Sequence, residues 1–271
     1  MKRYVLGAAA IGCAVLCLCP AGRSQSAPTG ETRQQRGKRV VYEGLKALGG
    51  DSFRHMEDRV ETGRAYSFYQ AKTSGTSIAT IYTRYLAPVP GKVMQREREA
   101  FGKDQDSGIV LFTETQAWEV NFHGARPMEK ERFANYQDSV LRNIFYILRQ
   151  RLDEPGLEFY SQGTDMYERV PVELVDITDA AGATVTVSFS QFDKLPLRQV
   201  FRRRNQTYHD FDTDETTYAK YRDVGGIKWP YDTQRHRNGD KIYEMYASSV
   251  EINKGLRDDL FTLPANVKTM K

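Results

Sequence analysis

The last quarter of the chain alternates apolar and polar residues with a period of two, the repeat that places side chains alternately on the two faces of a β-strand. The segment YRDVGGIKWPYDTQRHRNGDKIYEMYASSVEIN, residues 221–253, contains three such runs, separated by Gly225-Gly226 and Asn238-Gly239. Two-residue connections of this kind are typical of antiparallel hairpins. The segment therefore predicts three consecutive antiparallel strands.

The same alternation recurs through most of the chain. Runs such as VPVELVDIT and ATVTVSFSQF are rich in β-branched residues, and turn signals such as DAAG and DKLP separate them. Two segments have helical spacing instead: residues 38–51, with Val41, Leu45 and Leu48 on one face, and residues 129–152. We predict a mainly β (α+β) protein, a half-open antiparallel β-barrel of about eleven strands whose concave side is covered by the two helices.

The N-terminus has the order of a secretory signal peptide. A basic start, KR, precedes an apolar run that ends at Cys19, and the small-residue stretch AGRSQSAPTG follows. Cleavage after Ser24 or Ser26 fits the small residues that precede each position. A lipid anchor at Cys13, within AIGC, and a retained transmembrane helix are the alternatives.

We accordingly divide the chain into a signal peptide (1–24), a flexible linker (25–37) and one domain (38–271), and we expect a periplasmic monomer. The three cysteines are at positions 13, 17 and 19, so the processed chain has none. A chain without cysteine cannot be a disulfide scaffold, a thiol enzyme or a cysteine metal site. Its fold must depend on the burial of apolar surface.

The net charge of the processed chain is close to zero. The sequence has 39 Lys and Arg against 35 Asp and Glu, and three of the basic residues, Lys2, Arg3 and Arg23, lie in the predicted signal peptide. A nearly neutral domain does not favour nucleic acid as a partner. The densest basic run, FRRRN at residues 201–205, is typical of a solvated strand end, with contact to nucleic acid or anionic lipid as the alternative.

No motif indicates catalysis or metal binding. None of the four histidines is at metal-ligand spacing from another, and a G-x-S-x-G motif is absent. HDFDTDE, residues 209–215, repeats the opening of a calcium loop, but Glu215 stands where that loop needs glycine and Tyr221 where it needs glutamate. We therefore expect no enzyme activity, no metal and no cofactor.

Large apolar side chains recur at strand positions and along the second helix. On one strand, three of them at alternate positions share a side, and on the helix others recur at three- and four-residue spacing. A sheet curved around so few helices leaves volume that side chains fill or a ligand occupies. The predicted lipid-contacting residues of this cavity are Tyr66, Phe68, Tyr82, Trp118, Val120, Phe122, Leu141, Phe145 and Leu148.

Three segments resemble a known family. They are LKALGGDSF, FDKLPLRQV and the ending from VGGIKWP to LFTLP. Together they are similar to the LolA/LolB-like lipoprotein-carrier superfamily of the outer-membrane pathway, in its broad branch of exported bacterial proteins. The resemblance covers about residues 38–264.

The resemblance implies a half-open β-barrel with an apolar cavity that helices close and acyl chains occupy, and it supplies no catalytic residue. The implied partners are an acyl-chain lipid or a lipoprotein, with a glycolipid or a free fatty acid as further cargoes. An envelope regulator with the same half-barrel, which binds a membrane-anchored partner protein, is the alternative function.

Overall fold

Thirteen antiparallel strands dominate the computed structural model, which describes residues 30–103, 105, 108–205, 208–263 and 267–270. The predicted signal peptide, its three cysteines and both candidate cleavage sites lie outside these residues, so the division of the chain into segments stays a prediction. All strands and helices given below belong to the unit Thr32–Lys271. No helix among the described residues is long and apolar enough to cross a membrane.

The strands follow the chain in the order of their numbers. They are β1 (Asp58–Tyr69), β2 (Lys72–Tyr85), β3 (Gln95–Phe101), β4 (Gly108–Phe112), β5 (Ala117–Asn121), β6 (Gly124–Pro127), β7 (Glu158–Tyr167), β8 (Val170–Thr178), β9 (Thr184–Ser190), β10 (Pro196–Arg204), β11 (Phe211–Val224), β12 (Ile227–Arg237) and β13 (Asp240–Ile252).

One open sheet contains all of these strands, in the order β6-β5-β4-β3-β2-β1-β13-β12-β11-β10-β9-β8-β7. Two meanders are therefore joined side by side, because β1 pairs with β13 over the register Arg59↔Ile252 to Ser67↔Tyr243. The sheet is not closed, since β6 and β7 are its edges. This agrees with the predicted half-barrel, whereas the predicted count of about eleven strands is two too low.

The additional strands come from turns without a strong sequence signal. The run SGIVLFTETQAWEVNFHG, residues 107–124, has the pattern of one long strand, but a turn separates β4 from β5, where the backbone N–H of Thr113 donates to the carbonyl oxygen of Gln116. Neither turn residue is Gly or Pro, so the period of two does not reveal the break. The turns at Gly225-Gly226 and Asn238-Gly239 are confirmed, with positive φ at all four residues.

The helices are few and short. They are α1 (Arg33–Leu48), α2 (Asp51–Arg54), α3 (Lys130–Leu141) and α4 (Ile144–Tyr146), followed by a π-helical turn (Ile147–Arg151) and, near the C-terminus, a 3-10 turn (Asp258–Phe261).

Helix α1 lies directly against the sheet. It begins earlier than its apolar pattern because Thr32 and Gln35 form a capping box, so residues 33–37 of the expected linker are helical. A Cβ atom at Gly37 would lie 2.8 Å from the backbone of Phe159, and one at Gly44 would lie 2.6 Å from the ring of Phe189. The two glycines allow the helix backbone to approach β7 and β9.

The predicted helix over residues 129–152 is not continuous. The side-chain oxygen of Asn143 accepts hydrogen bonds from the backbone N–H groups of Phe145 and Tyr146, and so acts as an N-cap that starts a new helix. The apolar spacing continues through the break, so periodicity alone did not locate it. Ile144, Ile147 and Leu148 are fully buried beyond the break and join the main core.

The main core lies between the helices and one face of the sheet, which we call the inner face. It combines Leu48, Phe53 and Ile147 from the helical segments with Phe189 and Trp229 from the strands. The opposite, outer face carries a smaller cluster around Leu111, Val120 and Ala125, which Leu263 and Val267 of the C-terminal segment cover. The two faces are thus covered by different parts of the chain.

Candidate functional site

A cavity of about 240 Å³ lies between the inner face and the segment formed by α3 and α4. Strands from both meanders line it, because β1 and β13 meet at the centre of the sheet. Aromatic lining residues include Tyr85, Tyr136, Phe145, Tyr218, Trp229 and Tyr243. Charged lining residues include Arg59, Glu61, Glu97, Glu99 and Arg235.

Packed rings form the floor of the cavity. The ring centroid of Trp229 lies 4.9 Å from that of Phe145 and 6.3 Å from that of Phe53, and Phe145 meets Tyr218 edge-on at 4.8 Å. Offset and edge-to-face contacts of this kind favour a fixed arrangement of the rings. The floor therefore offers a rigid apolar surface to whatever occupies the cavity.

A buried ion pair crosses this floor. Arg59 lies 2.5 Å from Glu61 and donates to the hydroxyl of Tyr85 at 3.0 Å and to that of Thr83 at 3.1 Å. The indole N–H of Trp229 donates to Glu61 at 3.0 Å, and the Arg59 guanidinium lies 4.2 Å from the Trp229 ring. Since each charge has several partners, the pair is stable within the fold, and removal of one partner would leave an uncompensated charge.

Two further carboxyl groups face the cavity from β3. Glu97 and Glu99 are two residues apart on one strand and so point to the same face. Burial and the neighbouring charge of Glu99 together raise the pKa of Glu97 to about 8, against the opposing effect of Arg59. Burial also raises the pKa of Glu99, opposed by Arg235 and Arg132. Near neutral pH the Glu97 carboxyl is therefore largely protonated and can donate a hydrogen bond as well as accept one.

The strand register places Trp118 and Val120 on the outer face. Residues directly opposite each other in an antiparallel pair share a face. Glu97 and Glu99, which face the cavity, pair with Phe112 and Val110 of β4. Trp118 and Val120 pair with Leu111 and Ile109, the alternate residues of β4, and therefore face the other way.

The other predicted strand residues are also separated from the cavity. Tyr66 contacts the ring of Tyr246, and the hydroxyl of Tyr82 hydrogen-bonds to Gln105. Phe68 lies beneath the ammonium group of Lys241, and Phe122 is exposed at the β5–β6 turn.

The predicted helical residues lie nearer to the cavity. Phe145 lines it, Leu148 is fully buried in the main core, and Leu141 packs partly buried against that core. A lipid-contacting role for the nine residues stays a prediction, and Phe145 is the one among them that lines this cavity.

Sequence reasoning missed the ionisable residues of the cavity. The β3 sequence QREREAF alternates basic and acidic residues, so both faces of that strand carry charge for most of its length. A strand at the centre of a sheet that is covered by helices has an inner face, and charged residues there are unusual outside functional sites or ion pairs. The alternating charges of this strand could have identified Glu97 and Glu99 from the sequence.

The calcium-like acidic run is paired with basic and amide side chains. Asp212 accepts hydrogen bonds from Asn205 and Asn238, and Asp214 forms ion pairs with Arg203 and Arg237. Among the described residues, no group of three or more His, Cys, Asp or Glu is placed to hold a metal ion.

No protein-family model and no curated protein matches the chain. Solved structures do match. A domain described as an outer membrane lipoprotein-sorting protein, from Vibrio parahaemolyticus, is 11% identical, with a TM-score of 0.58 over 84% of this chain and 97% of that domain. A DUF1329 family protein from Desulfovibrio piger is 13% identical, with a TM-score of 0.58 over 85% of this chain and 98% of that one.

A LolA superfamily protein from Nitrosomonas europaea is 9% identical, with a TM-score of 0.51 over 83% of this chain and 97% of that one. Sequence identities this low are informative about the fold alone. All three structures are matched over almost their whole length. The chain therefore has a LolA-like fold.

Proposed function

We propose that the protein is an exported periplasmic carrier that holds the acyl chain of a lipid or lipoprotein in its inner-face cavity and passes it to a membrane or a partner protein. The observation that carries the proposal is the composition of this cavity, an aromatic floor next to ionisable groups on β3. Such a lining suits an amphiphile better than a purely apolar or a purely polar ligand. The proposed activity is binding, without catalysis.

The free energy gained by burying methylene groups supports binding of an acyl chain on the aromatic floor. Each buried methylene contributes about 0.8 kcal/mol, so a chain that buries roughly twelve carbons gains on the order of 10 kcal/mol before ordering costs. Few polar contacts are then needed for tight binding. Glu97 and Glu99 are placed to hydrogen-bond the polar end of the same molecule.

Release requires a change in the cavity, because burial of this size makes spontaneous dissociation slow. The segment that covers the cavity is interrupted at Arg142–Asn143, between α3 and α4. We propose that α3 moves relative to α4 at this break when the ligand leaves. The description of the Vibrio parahaemolyticus domain as a lipoprotein-sorting protein supports the carrier function.

Quenching of tryptophan by a brominated stearic acid tests the proposal. The two tryptophans provide a matched pair: Trp118→Phe leaves Trp229 on the cavity floor, and Trp229→Phe leaves Trp118 on the outer face. Because bromine quenches at close contact, we expect strong quenching of Trp229 and weak quenching of Trp118. Equal quenching of both, or none, would contradict binding in this cavity.

Native mass spectrometry of the protein purified from its host, followed by lipid extraction, identifies the cargo. A lipid recovered at near-equal molar amount supports the carrier function. Protein that is free of lipid and isolated with a second protein would instead favour the envelope regulator.

A further inference from the structure

The hairpin connections of the sheet alternate between its two ends, because consecutive strands are antiparallel. The pairing of Ser67 with Tyr243 brings the end of β1 next to the beginning of β13. The β1–β2 and β12–β13 turns therefore lie at the same end. Counting along both meanders places the β5–β6 and β10–β11 connections at this end too, which we call the rim end.

Four aromatic side chains are strongly exposed at the rim end. Tyr69 is 70% exposed at the β1–β2 turn, Phe122 is 88% exposed at the β5–β6 turn, and Tyr208 and Phe211 are 79% and 50% exposed at the β10–β11 connection. We call these four residues the aromatic rim. Single exposed aromatics are common on protein surfaces, but several at one end of a fold indicate a contact surface.

Basic side chains accompany the aromatic rim. The guanidinium of Arg202 lies 4.7 Å from the ring of Phe211, and the ammonium of Lys241 lies 5.2 Å from the ring of Phe68 beside the β1–β2 turn. Lys72 and Arg204 are further exposed basic residues near these connections. Described acids at the same connections are Asp210 and Asp240. These basic side chains can contact anionic groups of a surface at this end.

The cavity extends towards the same end. Its lining residues Glu99, Arg235 and Tyr243 lie two or three positions from the rim-end termini of their strands. Arg235 is exposed although it lines the cavity, which marks an opening there.

Helical segments close the opposite end. The hydroxyl of Tyr146 donates to the carbonyl oxygen of Lys92 at 3.0 Å, and Gln150 donates to those of Leu86 and Met94, all in the β2–β3 connection. The rim end is therefore the end at which a ligand has access to the cavity.

We propose that the aromatic rim docks the protein on the surface of an anionic lipid bilayer, with the aromatic rings at the level of the headgroups and the basic side chains on lipid phosphates. Tyrosine is enriched at membrane interfaces, phenylalanine is common on the apolar side of interfacial segments, and Lys and Arg contact anionic lipids there. Docking in this orientation sets the cavity opening against the bilayer. The docking itself does not depend on which ligand the cavity holds.

The distribution of the rim residues favours a membrane over a protein partner. From β5 to β10 the sheet order has eight strand spacings, so the aromatic rim extends roughly 40 Å along the sheet. Protein interfaces concentrate their aromatic anchors near one centre. A lipid surface can contact widely spaced side chains together.

The opposite end of the sheet supplies a control. Among the residues that the structure describes, six large hydrophobic side chains are at least half exposed; four form the aromatic rim, and the other two are Met166 and Phe192 near the β7–β8 and β9–β10 connections. Phe192 is 78% exposed, comparable to Tyr208. Its replacement removes an equally accessible aromatic ring away from the rim.

Flotation with vesicles of phosphatidylethanolamine and phosphatidylglycerol tests the proposal, with phosphatidylcholine vesicles as the uncharged comparison. The protein recovered from the periplasm, the double variant Phe122→Ser/Tyr208→Ser and Phe192→Ser are compared, and thermal unfolding verifies that each is folded. All share one N-terminus, so a difference between them arises from the substituted residues.

We expect the unsubstituted protein and Phe192→Ser to float with the anionic vesicles, and the double variant to bind at least about ten-fold more weakly, because each interfacial aromatic contributes about that factor. Arg202→Gln/Arg204→Gln should also weaken binding and reduce its dependence on salt.

Absence of binding by the unsubstituted protein, or equal binding by the double variant, would overturn the proposal. So would an equal loss in Phe192→Ser, since it would mean that exposed aromatics bind without regard to position. Binding to vesicles without quenching of Trp229 by the brominated acid would support docking through the aromatic rim and reject the proposed carrier function. Quenching of Trp229 without binding to vesicles would support the carrier function and reject the docking.

Discussion

Replacement of Glu97 by glutamine tests whether the cavity holds a carboxyl group that is reluctant to ionise. Glu97 faces the cavity from β3, with Glu99 on the same face and only long contacts to Thr83 (3.4 Å) and Gln95 (3.5 Å). Arg59 is the nearest compensating charge and is already paired with Glu61. The amide of glutamine keeps the shape of the side chain and removes its ionisation.

The sign of the effect follows from the protons bound in each state. Burial and the charge of Glu99 raise the pKa of Glu97 from 4.5 to about 8 on folding. Between these two values the folded protein retains a proton that the unfolded chain has released, so the free energy of unfolding falls as the pH rises through this window. The full difference corresponds to about 5 kcal/mol above pH 8. Because the effective dielectric constant around buried charges in proteins is well above that of a dry interior, we expect roughly 1–3 kcal/mol.

Urea unfolding at a series of pH values from 5 to about 9 measures this difference. The unsubstituted protein and Glu97→Gln should have similar stability near pH 5, and the variant should be the more stable by roughly 1–3 kcal/mol near pH 9. Glu251→Gln is the control, because Glu251 is exposed and paired with Lys254. A stability difference between Glu97→Gln and the unsubstituted protein that does not change with pH would refute the reasoning.

Three further substitutions test the turns, the helix packing and the cavity. Gly239→Val should lower the free energy of unfolding by about 1 kcal/mol or more, because Gly239 has φ +87° in the β12–β13 turn; an unchanged urea midpoint would contradict this. Gly37→Val should cost roughly 1–3 kcal/mol because its Cβ would lie 2.8 Å from the backbone of Phe159, whereas Gly30→Val, with open space around it, should be neutral; equal unfolding curves for both would show that α1 is not held closely. Ala65 pairs with Met245, which lines the cavity, so Ala65→Phe should weaken the quenching of Trp229 by brominated stearic acid; unchanged quenching together with a stability loss of roughly 1–3 kcal/mol would mean that the space is filled by side chains.

The hairpins could be predicted from the sequence where the turn requires a positive φ and therefore Gly or Asn. Gly225-Gly226 and Asn238-Gly239 adopt positive φ, which few other residues tolerate, and they mark the C-terminal strands correctly. The turn at Thr113–Gln116 has no such residue, and the break at Asn143 depends on a side-chain cap inside an apolar repeat. Both features depend on local hydrogen bonds that periodicity does not report.

The face of a strand that lies inward could not be predicted from alternation alone. Trp118 and Val120 do share one side of their strand, but the more polar side, with Ala117 and Glu119, is the one that faces inward. The register between β3 and β4 determines which side of β5 faces inward. It pairs Phe112 with Glu97, and the pairing of Trp118 with Leu111 then puts Trp118 on the outer face. That outer face is covered by Leu263 and Val267, which lie about 150 residues further along the chain and give no local signal at β5.

The ionisable residues of the cavity indicate which kind of polar group a ligand would have. An inner face that only packed against helices would be more stable with apolar residues at the positions of Glu97 and Glu99, because a buried carboxyl without a close partner is costly. Arg59 donates hydrogen bonds to the hydroxyls of Tyr85 and Thr83, and Glu61 accepts one from Trp229, so this pair avoids much of the cost. Glu97 and Glu99 have no comparable set of partners within the described residues, and Glu99 lies two residues from the rim-end terminus of β3. A ligand that enters through the rim end with its acyl chain first would bring its polar end to these two carboxyl groups, so the polar end that suits this cavity is one that hydrogen-bonds to a protonated carboxyl.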